Sequence, residues 1–344
     1  MEKGELVLVT GGTGAVAGHC ILQLLQKGYA VRTTVRSMQN QEKVLAMLRE
    51  GGLNNFDNLS FVAANLMSDA QWPEAIKGCR YVLHVASPTH TGTTDEEAII
   101  RPAVEGVLRV LRAARDGGVK RVVFTSSFGA LGFSHHDTTT ETTEADWTDT
   151  NEKGLSAYEK SKGLSERAAW DFMNTEGGQL QLAVINPVAI FGPLLAAGQS
   201  PSFGLLKSLL SGSMKAIPQI PLNAVDIRDV ADLHIRAMIT PEAAGHRFIA
   251  TADGQISLPE IAQLLRMKRP DISQKVSTRT LPNWVVRFGA LFNAEARHGA
   301  LFLKVNRRVS NANARKILGW QPIANNEEAI LASADSLKKF EMIP

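Results

Sequence analysis

A tyrosine and a lysine four positions apart are the residues of this chain best suited to act together in chemistry. Of its three tyrosines, only Tyr158 is followed at the fourth position by a lysine, Lys162, and the pair falls in a segment predicted to be helical, 157–172. Residues i and i+4 share one face of a helix, so the ammonium lies beside the phenol. A nearby cation stabilises a phenolate and lowers the tyrosine pKa, which is about 10 in water. The pair therefore suits proton transfer to or from an oxygen atom.

A hydroxyl group that could hold the same oxygen atom stands at the end of a predicted strand. This strand ends in VVFTSS, which places Ser126 and Ser127 at its carboxyl end, where parallel α/β sheets bind ligands. Neighbouring strand residues face opposite ways, so the two serines differ in direction. We predict that Ser127 stabilises a developing oxyanion and forms the catalytic group with Tyr158 and Lys162.

A glycine-rich turn near the N-terminus has the features of a phosphate-binding loop. The segment TGGTGAVAG, residues 10–18, follows the first predicted strand and opens the first helix. Gly11 permits a tight turn, and Gly14 lets backbone N–H groups approach a pyrophosphate. Glycine turns after strands are common, but this position in a βαβ pattern favours a dinucleotide site. The predicted contacts in the turn are Gly11, Thr13, Gly14, Ala15 and Val16.

The end of the second predicted strand indicates which dinucleotide binds. NAD sites usually place an acidic residue about 20 residues beyond the turn. Here no acidic residue occurs between Glu5 and Glu42, and the strand ends at Arg36. Arg36 can hold a 2′-phosphate through two N–H groups, with Lys43 as a second charge. The alternative for both Arg36 and Lys43 is that each is a solvated surface side chain without a ligand. We predict NADPH/NADP+ as the cofactor.

The elements that must position these residues form a βαβα pattern. Apolar runs without a polar face alternate with helical patterns over the first half of the chain, which predicts an α/β fold with a doubly wound parallel (Rossmann) sheet. After about residue 190 the segments are mostly helical. We predict an NADP-binding domain over 1–190 that carries the catalytic residues and a smaller, mostly helical substrate-binding lobe over 191–344, with the chain able to cross between them. The predicted strands are 6–10, 30–35, 59–63, 81–85, 121–125 and 180–186.

The composition excludes several other classes of protein. The chain has 344 residues, 44% of them hydrophobic and 21% charged, which is too apolar for a disordered protein. It has neither a run of about 20 apolar residues nor an apolar stretch near the N-terminus, so we expect no membrane span and no signal peptide. Its two cysteines, Cys20 and Cys79, are too few for a disulfide framework, which favours a cytoplasmic location.

The net charge of +3 conceals a basic block in the C-terminal half. Residues 266–316 contain 12 Lys or Arg and 2 Asp or Glu, a local charge of +10. A solvated basic face is favoured over steering of an anionic cofactor or substrate, and no binding module supports a nucleic-acid partner. Trp284, Phe288 and Phe292 recur every four residues, which predicts the buried stripe of a helix over 282–292.

With these motifs the chain resembles the extended short-chain dehydrogenase/reductases. The nearest branch is that of dihydroflavonol reductase and cinnamoyl-CoA reductase, which includes microbial NADPH-dependent aldehyde and ketone reductases. The resemblance covers nearly the whole chain and rests on TGGTGAVAG, VRTTVR, IKGCRYVLHVASP, PAVEGVLRVLRAA, VKRVVFTSS, YEKSK, INPVAIFGP and VDIRDVADLH. It implies that Ser127, Tyr158 and Lys162 are a catalytic triad.

The resemblance also implies further contacts with the cofactor. It places Asn65 and Leu66 at the adenine, Val85, Ala86 and Ser87 along the middle of the dinucleotide, and Pro187 and Val188 at the carboxamide. Thr125, Tyr158 and Lys162 complete the predicted set, with Lys162 also holding the nicotinamide ribose. Three departures from the family pattern are Asn65 in place of Asp, Ala17 in place of a third glycine, and no Asn at Ala103 or Glu105, near the usual position of a proton-relay residue.

The remaining candidate residues carry weaker signals. His90 and Phe128 follow predicted site segments and are predicted walls of a substrate pocket, with ordinary packing as the alternative. The adjacent His135 and His136 lack spaced partner ligands, so we predict no metal site. His234 lies in an apolar helical pattern and is predicted to be a core histidine.

Three functions remain open from the sequence, and one is favoured. The favoured one is an NADPH-dependent carbonyl reductase, an oxidoreductase that converts an aldehyde or ketone to an alcohol with Tyr158 as proton donor. A sugar-nucleotide epimerase or dehydratase with NAD is disfavoured by Arg36. A non-enzymatic NADP-sensing regulator is disfavoured by the intact Tyr158 and Lys162 pair. The sequence selects neither the particular small-molecule carbonyl substrate nor monomer over homodimer.

Overall fold

The computed structural model describes residues 4–88, 95–198 and 201–343. The strands in these ranges are β1 (Leu6–Val9), β2 (Ala30–Val35), β3 (Leu59–Ala63), β4 (Tyr81–His84), β5 (Arg121–Thr125), β6 (Gln181–Pro187), β7 (Ala189–Phe191), β8 (Ile217–Pro218), β9 (Pro221–Leu222), β10 (Ala224–Asp226), β11 (Arg247–Ala250), β12 (Ile256–Ser257) and β13 (Thr280–Leu281). The helices are α1 (Ala15–Gln26), α2 (Gln41–Glu50), α3 (Trp72–Ile76), α4 (Glu96–Asp116), α5 (Ala157–Thr175), α6 (Pro201–Leu210), α7 (Ile227–Ile239), α8 (Leu258–Lys268), α9 (Asn283–Gly289), α10 (Ala294–Phe302), α11 (Ala312–Leu318) and α12 (Asn326–Lys339).

A parallel sheet forms the centre of the molecule. In the described part of the chain it has seven strands in the order β11-β6-β5-β4-β1-β2-β3. Both faces are covered, since Val7 and Val9 pack in the core that includes α1 and α7, whereas Leu8 packs in the core that includes α3, α4 and α5. The predicted doubly wound α/β fold is confirmed. The strand order reverses between β1 and β4, and ligands bind at such a point outside the carboxyl ends of the strands.

A smaller lobe follows the sixth strand of the sheet. Helices α6, α8 and α12 surround a second apolar core that contains Phe191, Phe203, Ile261 and Ile330. The chain also returns to the main sheet after residue 190, because β11 pairs with β6 and α7 packs on α1. The division into 1–190 and 191–344 therefore stays a proposal, with β11 and α7 contributed across it.

The predicted buried aromatic stripe of residues 282–292 is wrong. Helix α9 has only seven residues, and it packs through Val286. Trp284, Phe288 and Phe292 lie on its outer side and beyond its end, with 69%, 61% and 75% of their surface exposed. A spacing of four places residues on one face of a helix but does not decide whether that face meets the core.

Within residues 4–88, 95–198 and 201–343, no helix combines the length and apolar character needed to span a membrane.

Candidate active site

A cavity of about 1030 Å³ lies along the carboxyl ends of the strands and is closed on its other side by the smaller lobe. Lys43 is absent from its lining, and His90 lies outside the described residues. The role of each predicted residue stays a prediction, but the structure brings nearly all of them to one site. Those that line the cavity are Gly11, Thr13, Gly14, Ala15, Val16, Arg36, Asn65, Leu66, Val85, Ala86, Ser87, Thr125, Ser127, Phe128, Tyr158, Lys162, Pro187 and Val188.

The glycine turn packs closely against neighbouring segments only because side chains are missing there. Gly11 has a φ of +74°, and a Cβ at this position would lie 2.9 Å from the Cβ of Ala86. A Cβ at Gly12 would lie 2.4 Å from Thr33 Oγ1. Helix α1 begins directly after Gly14, which makes no side-chain cap, and its first turn has no acidic residue. The positive helix end is therefore available to an anion, and the turn fits a dinucleotide pyrophosphate.

A buried threonine fixes the segment opposite the glycine turn. Thr10 Oγ1 accepts hydrogen bonds from the backbone N–H groups of Val85 (3.1 Å) and Ala86 (2.9 Å). Thr10 Oγ1 also lies 3.0 Å from Nδ1 of His84, to which its hydroxyl donates. Burial and the charge of Lys162 lower the pKa of His84 to about 3, so this imidazole stays neutral and can accept. Sequence reasoning missed Thr10 and His84, which lie inside strand patterns.

The predicted adenine end of the cavity contains one exposed cation. Arg36 stands directly after β2 with its side chain exposed and lining the cavity. Lys43 lies on the exposed side of α2, so the prediction of a second charge at this site is not supported by its position. Asn65 is held by its own backbone turn, since its Oδ1 accepts from the N–H of Met67 at 3.0 Å.

Helix α5 presents Tyr158 and Lys162 to the cavity from a well-defined start. Ser156 and Glu159 form a capping box, which fixes the first turn of the helix around Tyr158. Lys162 Nζ lies 5.9 Å from the centre of the Tyr158 ring and donates to the carbonyl oxygen of Thr125 at 3.4 Å. The predicted adjacency of phenol and ammonium is therefore present.

Ser127 and Ser126 differ in the hydrogen-bond partners of their hydroxyl groups. Ser127 Oγ accepts from the N–H of Gly129 at 3.1 Å, which leaves its proton free for an oxygen atom in the cavity. Ser126 Oγ instead donates to the buried carboxylate of Glu166. This difference supports the choice of Ser127 as the hydroxyl that meets a substrate.

The pKa values of the pair differ in part from the sequence expectation. Desolvation at the cavity wall, with a contribution from Glu159, raises the pKa of Tyr158 to about 12, although 45% of the surface of this residue is exposed. Burial lowers the pKa of Lys162 to about 8, and the carboxylate of Glu166 opposes that shift. At neutral pH the phenol is protonated and can donate, and most of Lys162 carries its charge.

The far wall of the cavity comes from segments that no motif marked. Phe302 and His298 on α10 line it, together with Arg307 after the helix. His298 Nε2 lies 2.8 Å from Glu159 Oε1, so α10 is tied to the helix that carries Tyr158. Phe128, one of the predicted pocket residues, is buried beside these groups. The only sequence signal for Arg307 was its place in the basic block 266–316.

Two other predictions concern histidines. His234 is fully buried and bonded on both ring nitrogens, to Thr125 Oγ1 at 2.6 Å and to the carbonyl oxygen of Val230 at 2.7 Å, as expected for a core histidine. Burial lowers its pKa to about 4. His135 and His136 pair separately with Asp146 and Glu152, and no group of three or more metal-ligating side chains occurs in the described ranges.

The fold and this site are those of proteins that bind a dinucleotide at the carboxyl ends of the strands of a parallel sheet. Comparison with known proteins identifies the family. Residues 7–250 match the NAD dependent epimerase/dehydratase family, and the chain belongs to it. The predicted resemblance to extended short-chain dehydrogenase/reductases is confirmed.

Individual relatives narrow the resemblance. The chain is 36% identical to cinnamoyl-CoA reductase 1 of Petunia hybrida over 81% of its length and 83% of the relative. It is 34% identical to dihydroflavonol 4-reductase of Hordeum vulgare over 80% of its length and 78% of the relative. The crystal structure of yeast methylglyoxal/isovaleraldehyde reductase complexed with NADPH matches 98% of this chain and 99% of that one, with a TM-score of 0.80 and 28% identity.

Proposed function

We propose that this chain is an NADPH-dependent carbonyl reductase that converts an aldehyde or ketone to an alcohol. The observation that carries the proposal is that one cavity joins the glycine turn and Arg36 to Ser127, Tyr158 and Lys162. Relatives named as reductases, among them a structure with NADPH bound, support the same activity. A UDP-glucose 4-epimerase is similar in structure at 19% identity, which concerns the fold alone.

The residues of the chain divide the work of carbonyl reduction among them. When bound, NADPH supplies the hydride. Ser127 donates a hydrogen bond to the carbonyl oxygen and orients it. Tyr158, with its pKa raised to about 12, is protonated at neutral pH and gives its proton to the oxygen as negative charge develops there. Lys162, beside the ring, stabilises the phenolate that remains.

The test of this mechanism is Tyr158→Phe, which removes the donor and keeps the ring. We expect kcat for reduction of an aldehyde or aryl ketone to fall by about 10²- to 10⁴-fold, while the Kd for NADPH stays within about threefold. Tyr81→Phe is the matched control, because Tyr81 is buried in β4 outside the cavity lining. Near-normal reduction by Tyr158→Phe would refute the assignment. NADPH binding without reduction of any carbonyl in a broad panel would favour a regulator instead.

Three further properties follow as proposals. The two described cysteines, Cys20 and Cys79, are buried free thiols, which supports a reducing compartment such as the cytoplasm. We propose a monomer or homodimer without a nucleic-acid partner. Light scattering after size-exclusion chromatography, repeated with added DNA or RNA, tests both statements.

A further inference from the structure

Arg307 carries a charge in the cavity that no carboxylate in the described part of the chain compensates. Its Nε and Nη2 atoms are sealed from solvent and have no hydrogen-bond partner in the described part of the chain. No carboxylate within residues 4–88, 95–198 and 201–343 forms an ion pair with it. The third nitrogen, Nη1, is not among these sealed atoms, and Arg307 lines the cavity. A buried cation without a partner is costly, so such a group calls for a function.

The surroundings of Arg307 hold it in this position. Its carbonyl oxygen accepts from Asn223 Nδ2 at 3.0 Å, and the preceding Asn306 donates to the carbonyl oxygens of Asp137 and Thr140 at 2.9 and 2.8 Å. The neighbouring Arg308 turns away and bonds the carbonyl oxygens of Thr138 and Thr139. The two adjacent arginines of the basic block therefore have different environments. Arg308 bonds a loop, whereas Arg307 lines the cavity.

Aromatic rings form the rest of this end of the cavity. The guanidinium carbon of Arg307 lies 5.4 Å from the centre of the Phe302 ring and 5.9 Å from that of Phe128. Phe133 packs on both rings, at 5.9 Å from Phe128 and 5.1 Å from Phe302. An apolar or aryl group can pack here. The rings make cation–π contacts with the guanidinium, but they carry no negative charge that could neutralise it.

The carboxylates of the cavity wall are committed elsewhere or exposed. Glu159 accepts from His298 through Oε1 and from Ser156 through Oε2. Glu295 lies in the first turn of α10 with an exposed side chain. Burial lowers the pKa of Arg307 to about 10, so the guanidinium remains protonated at neutral pH. No carboxylate of the described cavity wall pairs with this cation, which leaves Nη1 for a ligand.

We propose that Arg307 binds a carboxylate on the carbonyl substrate, so that the preferred substrates are aryl or alkyl keto acids and aldehyde acids. The proposal rests on the carbonyl reductase function given above. A substrate carboxylate would bond Nη1 while the apolar part of the molecule packs on Phe128 and Phe302 and the carbonyl group meets Ser127 and Tyr158. Charge-assisted hydrogen bonds to Arg are stronger than neutral ones, and they discriminate sharply against an uncharged analogue.

The first test uses the unaltered protein with paired substrates. The probes are phenylglyoxylate and 4-oxo-4-phenylbutanoate, each compared with its methyl ester, and the readout is kcat/KM with saturating NADPH. We expect the acid to exceed its ester by about 10- to 100-fold in at least one pair. Inhibition by phenylacetate but not by phenylacetamide gives a second readout without turnover. Equal kcat/KM for acid and ester in both pairs would overturn the proposal.

The second test uses Arg307→Met with Arg308→Met as the matched control. We expect Arg307→Met to lower kcat/KM for the acid by about 100-fold and to change that for the ester by less than about threefold. Arg307→Lys, which keeps charge on a shorter group, should recover part of the loss. Both Met variants should unfold cooperatively, and their Kd for NADPH should be unchanged. A rise of more than tenfold in the NADPH Kd of Arg307→Met would make Arg307 a cofactor contact and refute the proposal.

The two proposals fail in different ways. Tyr158-dependent reduction of esters without preference for acids would refute the carboxylate site and keep the reductase. Absence of reduction for acids and esters alike, with NADPH bound, would count against the reductase itself. Binding of phenylacetate, measured as a change in NADPH fluorescence, would in that case still report on Arg307.

Discussion

Glu166 Oε1 accepts a hydrogen bond from Arg247 Nε at 2.6 Å, and both side chains are buried. This ion pair joins α5, which carries Tyr158 and Lys162, to β11 at the edge of the sheet. The other carboxylate oxygen accepts from Ser126 Oγ and from Asn186 Nδ2 at 2.7 Å. One carboxylate therefore connects α5 with β6, β11 and the residue that follows β5, and it stands one helical turn after Lys162.

Glu166→Gln tests the two effects of this carboxylate. We expect a loss of about 3 kcal/mol in the free energy of unfolding, because the charge of Arg247 stays buried without its partner. The pKa of Lys162 should also fall below about 8, since the Glu166 charge raises it. Urea unfolding and the pH profile of kcat/KM measure the two. Asp171→Asn, on the exposed side of the same helix, should change neither. An unaltered pH profile in folded Glu166→Gln would contradict the electrostatic coupling.

Lys162 should set the alkaline limb of carbonyl reduction. Because burial lowers its pKa to about 8, kcat/KM should fall above that pH as the ammonium that stabilises the phenolate is lost. Tyr158, with a pKa of about 12, stays protonated over this range and cannot cause the limb. In Lys162→Arg the limb should move above about pH 10, because guanidinium does not deprotonate there. A limb that stays near pH 8 in this variant would assign it to another group.

Arg36 should decide between the two nicotinamide dinucleotides. For Arg36→Ala we expect kcat/KM with NADPH to fall by about 10- to 100-fold, from loss of charge-assisted bonds to the 2′-phosphate, with NADH changed by less than about threefold. Lys43→Ala should have a small effect on either cofactor, because Lys43 does not line the cavity. Steady-state kinetics with both cofactors measure this. Equal losses in the two variants would show that the 2′-phosphate site extends beyond the cavity wall.

Thr10 should be important for both stability and cofactor binding. Thr10→Val leaves the N–H of Ala86 and the ring of His84 without this partner and leaves the N–H of Val85 only the carbonyl oxygen of Leu83 at 3.2 Å, which we expect to cost about 2 to 4 kcal/mol of unfolding free energy. The KM for NADPH should rise because Val85 and Ala86 line the cavity. Thr10→Ser keeps the hydroxyl and should recover most of both effects in urea unfolding and kinetics. A larger loss in Thr10→Ser than in Thr10→Val would show that the methyl group, not the hydroxyl, matters.

Much of the sheet and of the site could be predicted because the signals are local. The predicted strands 30–35, 59–63 and 121–125 match β2, β3 and β5, because β-branched and aromatic residues recur in each, although Arg32 interrupts β2 and Ser60 of the edge strand β3 is exposed. The glycine turn and the pair of Tyr158 and Lys162 depend on spacing within one turn or one helix. The tertiary structure adds only that these local features face one cavity.

Some helices, the burial of some side chains and the long-range contacts could not be predicted from local sequence patterns. Helices α2, α3 and α10 were not predicted, and α3 has only five residues, too few to show a period. Whether Trp284, Phe288 and Phe292 are buried depends on what packs against α9, and in the folded chain their side chains face solvent. Glu159 and His298 are 139 positions apart, so only the folded chain makes them partners.

Charge shows the division between sequence and structure most directly. The sequence by itself determined that Arg36 ends the second strand and that twelve cations occupy residues 266–316. Only the tertiary structure decided that Arg308 ties down a loop whereas Arg307 enters the cavity without a partner. The physical reason is that the interaction energy of a charged side chain depends on its burial and on groups that are distant in sequence. The residue type and its sequence neighbours specify neither of these two factors.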